Sequence, residues 1–351
     1  MEYTNSFEEP FDSRDNRPER AVAPKVLLCL DRSELSETLL SYAVMLTRAL
    51  SGSLTLMHVV EPSYEAPSSS HDVFMWRLKH REAHQYMEQV LERTSGLEVP
   101  ATLQMGEGRA AEQILGFIRQ NLVDFVILAS HGTHGLAEWS LSSTTAKIVG
   151  RAHSSFIIVP AALIAQHAKL KPSIQRILVP LDGSLASQAC LPIAIRIARQ
   201  QDAELILLHA IEPVGFYQLP GISDADRKVL DAAASILESV ARKHFDQIAA
   251  RLQNEGLRVT VEVRSGSNPT TLMSEIISSM DVDFIAMTAH GSSGSEEYPL
   301  ARTSAHMVSH TPVPLLIVQD LEMEKVTRAL RKRHNDRALL RSSKSAEDNT
   351  G

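Results

Sequence analysis

One stretch of the sequence occurs twice, and this repeat constrains the fold more than any other feature. The two copies are Val123–Gly135 and Val282–Gly294, and their shared residues stay in register throughout. Both begin with Val-Asp-Phe, continue as a short apolar run, and end in His-Gly-x-x-Gly. A short apolar run followed by glycines indicates a buried strand that leads into a loop. The chain is therefore predicted to be an internal duplication, in which each half builds the same strand and loop.

The chain is long enough for two domains. It has 351 residues, of which 44% are hydrophobic and 22% charged, which is typical of a soluble globular protein. We predict five segments, which are a disordered leader over 1–22, a first domain over 23–160, a linker over 161–173, a second domain over 174–319, and a basic, partly helical tail over 320–351.

Strand-sized apolar runs alternate with helical patterns in both halves. The first run of the first half, Lys25–Leu30, matches Arg176–Leu181 in the second half. This alternation is typical of right-handed β-α-β crossovers and of a parallel sheet. The predicted fold is therefore α/β, with two tandem parallel-sheet domains of the nucleotide-binding kind.

The helical patterns differ between the halves at two places. The offset between the copies is larger at the fourth strand than at the first, so the second copy is longer, and its helix near Ser223–Asn254 is predicted to be the longest in the chain. Pro192 is predicted to kink or delay the first helix of the second half, because proline lacks a backbone N–H. In the helix predicted over His71–Thr94, Phe74 is expected to contact the core.

Two features in each half could form a ligand site. One is a carboxylate at the end of the first strand, Asp31 or Asp182, and the other is the glycine loop after the fourth strand. Ligands of open parallel sheets bind outside the carboxyl ends of the strands. Glycines allow backbone N–H groups to approach an anion, and a carboxylate can accept hydrogen bonds from a ribose hydroxyl or a base amino group. The same edge of each sheet is thus a candidate nucleotide site.

Several motifs together resemble those of the universal stress proteins of the UspA type. They are Leu-Val-Pro-Leu-Asp-Gly-Ser at 178–184, His-Val-Val-Glu-Pro at 58–62 and the two His-Gly-x-x-Gly loops. The resemblance covers both halves and implies a five-stranded parallel sheet of order 3-2-1-4-5 in each, with helices on both faces. It also implies pairing across the fifth strand. The two halves could satisfy that pairing internally as a pseudo-dimer, and a homodimer of whole chains is the alternative.

The resemblance also identifies candidate nucleotide-binding residues. Members that bind nucleotide carry Gly-x-x-Gly, nine further residues, and then Gly-Ser or Gly-Thr. Here the intervening loop is six residues in each half, and the closing glycine is replaced. In the second half the loop also carries Glu296 and Glu297, which would repel a phosphate. The corresponding residues are Gly132, Gly135, Ser142 and Ser143 in the first half, and Gly291, Gly294, Ala301 and Arg302 in the second.

These departures favour one function over two others. The first hypothesis is a non-catalytic stress-response or regulatory module that acts through protein partners and requires no cofactor. The second is a sensor that binds ATP or AMP in the cleft of the first domain. The third, a slow ATPase, has the least support, because no repeated motif places a general base and no Gly-x-x-x-x-Gly-Lys-Ser/Thr phosphate loop is present.

Charge and hydropathy suggest which partners and which compartment to expect. A formal net charge of −7 argues against DNA or RNA as the main partner. The apolar runs are of strand length, so no membrane span is predicted, and residues 1–20 lack the apolar centre of a signal peptide. A cytoplasmic protein is therefore expected. The tail has seven basic residues between Lys325 and Arg341, and it could be a solvated helix or a docking site for an acidic partner.

The remaining reactive side chains are assigned simple roles. Cys29 and Cys190 occupy different places in the two copies and are interpreted as small buried hydrophobic residues. His131 and His290 precede the repeated glycines, and each is interpreted as ordering its loop through backbone hydrogen bonds rather than binding a metal or transferring protons.

Overall fold

The computed structural model describes residues 23–61, 70–130, 143–161, 163, 174–211, 223–265, 268–291 and 300–319. The predicted leader, the basic tail and nearly all of the predicted linker lie outside these residues.

The first half alternates strands and helices in the predicted manner. Its first strand begins at Lys25, as predicted, and ends one residue before the predicted Leu30. The elements of this half are β1 (Lys25–Cys29), α1 (Glu34–Leu50), β2 (Ser53–Val60), α2 (Ser70–Ser95), β3 (Ala101–Glu107), α3 (Ala110–Asn121), β4 (Phe125–Ala129), α4 (Ser143–Val149) and β5 (Ser155–Val159).

The second half repeats this order with one additional helix. The elements of this half are β6 (Arg176–Pro180), α5 (Leu185–Gln188), α6 (Leu191–Gln201), β7 (Glu204–Ile211), α7 (Asp224–Asn254), β8 (Arg258–Ser265), α8 (Pro269–Ser279), β9 (Phe284–Thr288), α9 (Arg302–His310) and β10 (Leu315–Val318).

Pro192 explains the additional helix. In the first half α1 is continuous over 17 residues. In the second half a turn at Ala189–Cys190 interrupts the helix although both residues keep right-handed helical dihedrals, and α6 then begins with Pro192 in its first turn. Proline is tolerated there because the first N–H groups of a helix have no partner within the helix. The predicted interruption is therefore confirmed.

All ten described strands form one continuous sheet. Their order is β3-β2-β1-β4-β5-β10-β9-β6-β7-β8. The strands of each half are parallel to one another, whereas β5 and β10 pair in the antiparallel sense, with Leu316 opposite Ile157 and Ile317 opposite Phe156. The α/β class and the tandem arrangement are confirmed, and the pairing across the fifth strands occurs within the chain.

The antiparallel pairing of β5 with β10, which we call the joint, determines where the carboxyl ends of the strands lie. Because the two halves run in opposite directions across β5 and β10, the carboxyl ends of β1–β5 lie at one edge of the sheet. The carboxyl ends of β6–β10 lie at the opposite edge. Each half therefore presents its candidate site on a different side of the molecule.

The two halves also share their hydrophobic cores. One face of the sheet buries Val26 together with Ile177 in a single cluster, and the other face buries Leu27 together with Leu178. Helices α1 and α6 pack across the joint, where Arg196 Nη1 donates to the carbonyl oxygen of Leu50 at 3.5 Å. Neither half can be removed without exposing apolar surface of the other.

The long helices that follow β2 and β7 reach beyond the sheet. Helix α7 has 31 residues, and it begins with a capping box between Ser223 and Asp226, as expected for a helix starting at Ser223. Helix α2 has 26 residues, and its early residue Phe74 is 63% exposed. The expectation that Phe74 contacts the core is therefore wrong, because the buried residues of α2 lie later in the helix, from Ala83 onwards.

Candidate functional site

Each half ends its first strand with the same turn. In the second half, Asp182 Oδ1 accepts hydrogen bonds from the backbone N of Ser184 at 2.9 Å and from its Oγ at 2.6 Å. In the first half, Asp31 Oδ1 accepts from the backbone N of Ser33 at 3.0 Å and also from its Oγ. The turn holds each carboxylate at the carboxyl edge of its sheet, where the sequence predicts a site.

The residue inside this turn differs between the halves. It lies in the left-handed region in both, with φ of +89° at Gly183 and +66° at Arg32. Glycine adopts this conformation readily, whereas a residue with a Cβ does so at a cost. The guanidinium of Arg32 lies 3.7 Å from Glu82 Oε2 on α2. The first site thus carries a positive charge where the second has only backbone.

In the second half the carboxylate and the glycine loop meet. A Cβ placed on Gly291 would lie closer than 3.0 Å to Asp182 Oδ2, so the carboxylate packs directly against the backbone of that glycine. The structure therefore brings together Asp182 and Gly291, two of the predicted site residues.

The other predicted site residues are only partly described. Ser143 begins α4, and Arg302 begins α9 with its side chain exposed, so both lie at helix starts as the sequence predicts. The remaining four predicted residues lie outside the described residues; they are Gly132, Gly135, Ser142 and Gly294. A role in nucleotide binding stays a prediction for the whole set.

A pair of histidines supports the ends of the first strands. His58 Nδ1 donates to the carbonyl oxygen of Leu30 at 2.7 Å, and His209 Nδ1 donates to that of Leu181 at 2.8 Å. Burial lowers the pKa of His58 below its usual value, which favours the neutral ring. Each histidine therefore fixes the residue immediately before the site aspartate.

A pair of hydroxyls anchors the helix that follows each glycine loop. Thr145 Oγ1 donates to the carbonyl oxygen of Ala129 at 3.0 Å, and Ser304 Oγ donates to that of Thr288 at 2.9 Å. Neither hydroxyl is predicted above, although they are separated along the chain by the same offset as the two glycine loops. A search for hydroxyl residues at that offset would have found them.

The aspartate of the repeated Val-Asp-Phe lies away from the candidate site. Asp124 Oδ2 accepts from the backbone N of Lys25 at 2.7 Å, and Asp283 Oδ2 accepts from that of Arg176 at 3.0 Å. Burial raises the pKa of Asp124 above its usual value. These aspartates join the starts of neighbouring strands at the amino edge of each half, so this part of the repeat is structural.

Other candidate chemistry has little support among the described residues. Within them, no three His, Cys, Asp or Glu side chains are grouped so as to hold a metal ion. Cys29 and Cys190 are free thiols, and burial raises the pKa of each to about 12. Of the helices that the structure describes, none has the length and apolar character needed to cross a membrane.

The contact between Gly291 and Asp182 leads to a prediction. Gly291→Ala should lower the free energy of unfolding by about 1–2 kcal/mol, because the new Cβ displaces a carboxylate that holds two hydrogen bonds. Chemical denaturation measures this change. In an Asp182→Ala background the same substitution should cost much less, since the atom it overlaps is absent. An equal cost in both backgrounds would contradict the assignment of this contact.

Comparison with known proteins identifies a matching sequence family and solved structures of similar fold. The sequence model of the universal stress protein family matches residues 23–160 and 173–319. Universal stress protein MJ0531 of Methanocaldococcus jannaschii is 22% identical over 150 residues, which are 43% of this chain and 85% of that protein. Universal stress protein Rv2005c of Mycobacterium tuberculosis is 32% identical over 128 residues, 34% of this chain, but the match spans only 40% of the mycobacterial protein.

Solved structures resemble this fold over most of the chain. A universal stress protein from Archaeoglobus fulgidus matches with a TM-score of 0.57 and 19% identity, over 84% of this chain and 98% of that one. The functionally unknown protein PA1789 from Pseudomonas aeruginosa matches with a TM-score of 0.59 and 12% identity, over 88% and 98%. At these identities the likeness is one of fold alone.

Proposed function

The chain belongs to the universal stress protein family, and on this premise we propose that it is a non-catalytic regulatory protein of the stress response. It acts in the cytoplasm through protein partners and needs no cofactor to do so. Its duplicated cleft is a descendant of a nucleotide site whose phosphate loop has been shortened.

One observation carries this proposal. At the corner of the second half, three of the described groups that could act as a base or a nucleophile form hydrogen bonds within the protein. Asp182 accepts two hydrogen bonds from Ser184, His209 binds a backbone carbonyl oxygen through Nδ1, and Ser304 binds another through Oγ. Groups engaged in this way stabilise the corner, and the same pattern recurs in the first half.

A second candidate function is nucleotide sensing by the first half. The helix beside its corner carries Lys79, whose Nζ donates to the carbonyl oxygen of Glu61 at 2.8 Å. Burial lowers the pKa of His58, and Arg32 and Lys79 lower it further whereas Asp31 raises it, so two cations and one carboxylate act on this ring. At the offset of the glycine loops, the position equivalent to Lys79 in the second half is Glu238. A phosphate is therefore favoured in the first cleft over the second, which supports ATP or AMP binding there.

Calorimetric titration of the purified chain with ATP and with AMP separates the two functions. The regulatory proposal expects no binding tighter than about 0.1 mM, or about −5.5 kcal/mol. Tighter binding would favour the sensor instead. The matched variants Asp31→Ala and Asp182→Ala then locate the site, because the sensor proposal requires loss of binding in the first variant and its retention in the second.

Partner capture tests the other part of the proposal. The full chain and a chain ending at residue 320 are immobilised and exposed to extracts of stressed and unstressed cells. Specific capture of a protein, with a stress-dependent yield, is the expected result. If no protein is enriched over a resin control under either condition, action through partners is contradicted. If a protein is captured equally by both chains, the tail has no part in that contact.

A further inference from the structure

Helix α7 has two halves with different surroundings. Its later residues are buried against the sheet, including Ala241, Phe245, Ile248 and Leu252. At about 1.5 Å per residue the 31-residue helix is about 46 Å long, whereas the eight-residue strand β7 spans only about 26 Å. The early half of α7 therefore extends past the sheet.

This extended half exposes large apolar side chains. Val229 is 68% exposed, Ile236 64%, Leu237 49% and Val240 49%. Half of the exposed large hydrophobic side chains found among the described residues thus lie on a few turns of one helix. Scattered apolar residues on a surface are normal, but a contiguous patch marks an interaction site.

The apolar residues form one stripe. Their spacings of three and four residues place them on one side of the helix, turned away from the buried Phe245 and Leu252. Leu237 lies at the margin of this side, four residues before the buried Ala241. Asp226 lies at the start of this stripe and Lys243 at its end, and both are exposed. We call the α7 stripe the set Ala225, Val229, Ala232, Ala233, Ile236, Leu237 and Val240, all exposed.

We propose that the α7 stripe is a self-association surface, on which α7 of one chain pairs in the antiparallel sense with α7 of a second copy. In the two-fold register Val229 faces the second copy's Val240, Ala233 faces its Ile236, and Ala232 faces its Leu237. Every large side chain of the central turns then lies opposite a small one, which allows close packing. The same register places Asp226 opposite Lys243 at both ends of the pair.

This complementarity selects a second copy of the chain rather than another partner. A two-fold interface requires a surface that is complementary to itself, and both the sizes and the end charges of the α7 stripe meet that condition. Parallel pairing would instead place Asp226 opposite Asp226 and Ile236 opposite Ile236.

The equivalent helix of the first half cannot form this pair. Helices α2 and α7 end at positions separated by the offset of the glycine loops, so Ile236 corresponds to Arg77 and Val240 to Arg81. Two arginines interrupt the stripe in α2. Self-association is therefore a property of the second half alone, and the antiparallel joint between β5 and β10 does not supply it.

The size of the stripe limits the affinity. Stable dimers bury about 800 Å² per partner, and a single helix pair of about four turns buries less than that. We therefore expect a dissociation constant in the micromolar range, with monomer and dimer in exchange.

Sedimentation of the full chain between about 1 and 200 µM tests the proposal, since association in the micromolar range falls inside this window. Wild type should pass from monomer to dimer with rising concentration. Ile236→Asp should weaken the dimer by at least about 30-fold, because burying an unpaired charge is unfavourable. Ser235→Asp is the matched control, because it adds the same charge at the preceding residue, on another side of the helix. It should leave the dissociation constant of the dimer unchanged. Circular dichroism checks that both variants keep the helix.

A change of charge at both ends of the stripe tests the antiparallel register. Lys243→Glu should weaken the dimer by about 10-fold, because it meets the second copy's Asp226. Adding Asp226→Asn should restore most of the association, because it removes the like charge while the amide oxygen of asparagine can still accept the capping-box hydrogen bond from Ser223. A parallel pair or an unrelated interface would not show this recovery.

Three results would overturn the proposal. A chain that stays monomeric up to about 200 µM would do so, since micromolar association would then be absent. A dimer equally stable in Ile236→Asp and Ser235→Asp would place the contact elsewhere. A dimer that Lys243→Glu leaves unchanged would contradict the antiparallel register.

Discussion

Phe156→Ala should lower the free energy of unfolding by about 3–5 kcal/mol. Phe156 is fully buried in β5, where it pairs with Ile317 across the joint between the halves. Truncation would leave a cavity in a core to which both halves contribute. Phe74→Ala is the matched control, because that side chain is 63% exposed on α2, and a surface change of this kind should stay within about 0.5 kcal/mol of wild type.

Denaturant unfolding is followed by tryptophan fluorescence and by circular dichroism. It measures the loss of stability and shows whether the two halves unfold together. Both tryptophans, Trp76 and Trp139, lie in the first half, whereas circular dichroism reports on both halves. Because the cores are shared, we expect the two probes to give one coincident transition. A change of less than about 1 kcal/mol in Phe156→Ala would contradict the assignment of a shared core, since a buried phenylalanine normally costs several times more. Separate transitions for the two probes would contradict it as well.

Gly52→Ala should cost about 2–3 kcal/mol. A Cβ at this position would lie closer than 3.0 Å to the carbonyl oxygen of Pro24. That oxygen accepts the backbone N–H of Ser53 at 2.8 Å, at the point where β2 begins to pair with β1. The overlap is with backbone rather than with a mobile side chain, so the start of the strand pair must move.

Gly116→Ala is the control for this substitution. Gly116 lies inside α3, and a Cβ there would meet no atom outside the helix within 4 Å. Alanine is the better helix former, so this variant should gain about 0.5–1 kcal/mol. The two substitutions add the same methyl group, and thermal or chemical denaturation should show opposite signs. A loss in Gly116→Ala as large as that in Gly52→Ala would contradict the steric explanation.

Much of the fold could be predicted because the sequence carries it twice. Each copy of the strand-and-loop stretch supports the interpretation of the other, and matching the two halves also located the first strands through Asp31 and Asp182. Rules that concern a single residue were sufficient to predict where a helix is interrupted and where one begins. Pro192 interrupts a helix whatever surrounds it, and Ser223 provides a side-chain cap for α7.

Other features depend on contacts between residues distant in sequence. The repeated Asp124 belongs to the same short motif as the glycine loop, yet its carboxylate binds Lys25 at the opposite edge of the sheet. Phe74 fits the helical period of a core residue, but helical period does not show where the sheet beneath the helix ends. The repeat offset relates Thr145 to Ser304, but it does not show that their hydroxyls bind backbone carbonyl oxygens at the ends of β4 and β9.

The antiparallel meeting of β5 and β10 has a consequence for how the protein engages other molecules. The carboxyl ends of the two sets of strands lie at opposite edges of the sheet, so an occupant of one candidate site would not crowd an occupant of the other. Each half could then be approached independently of its neighbour.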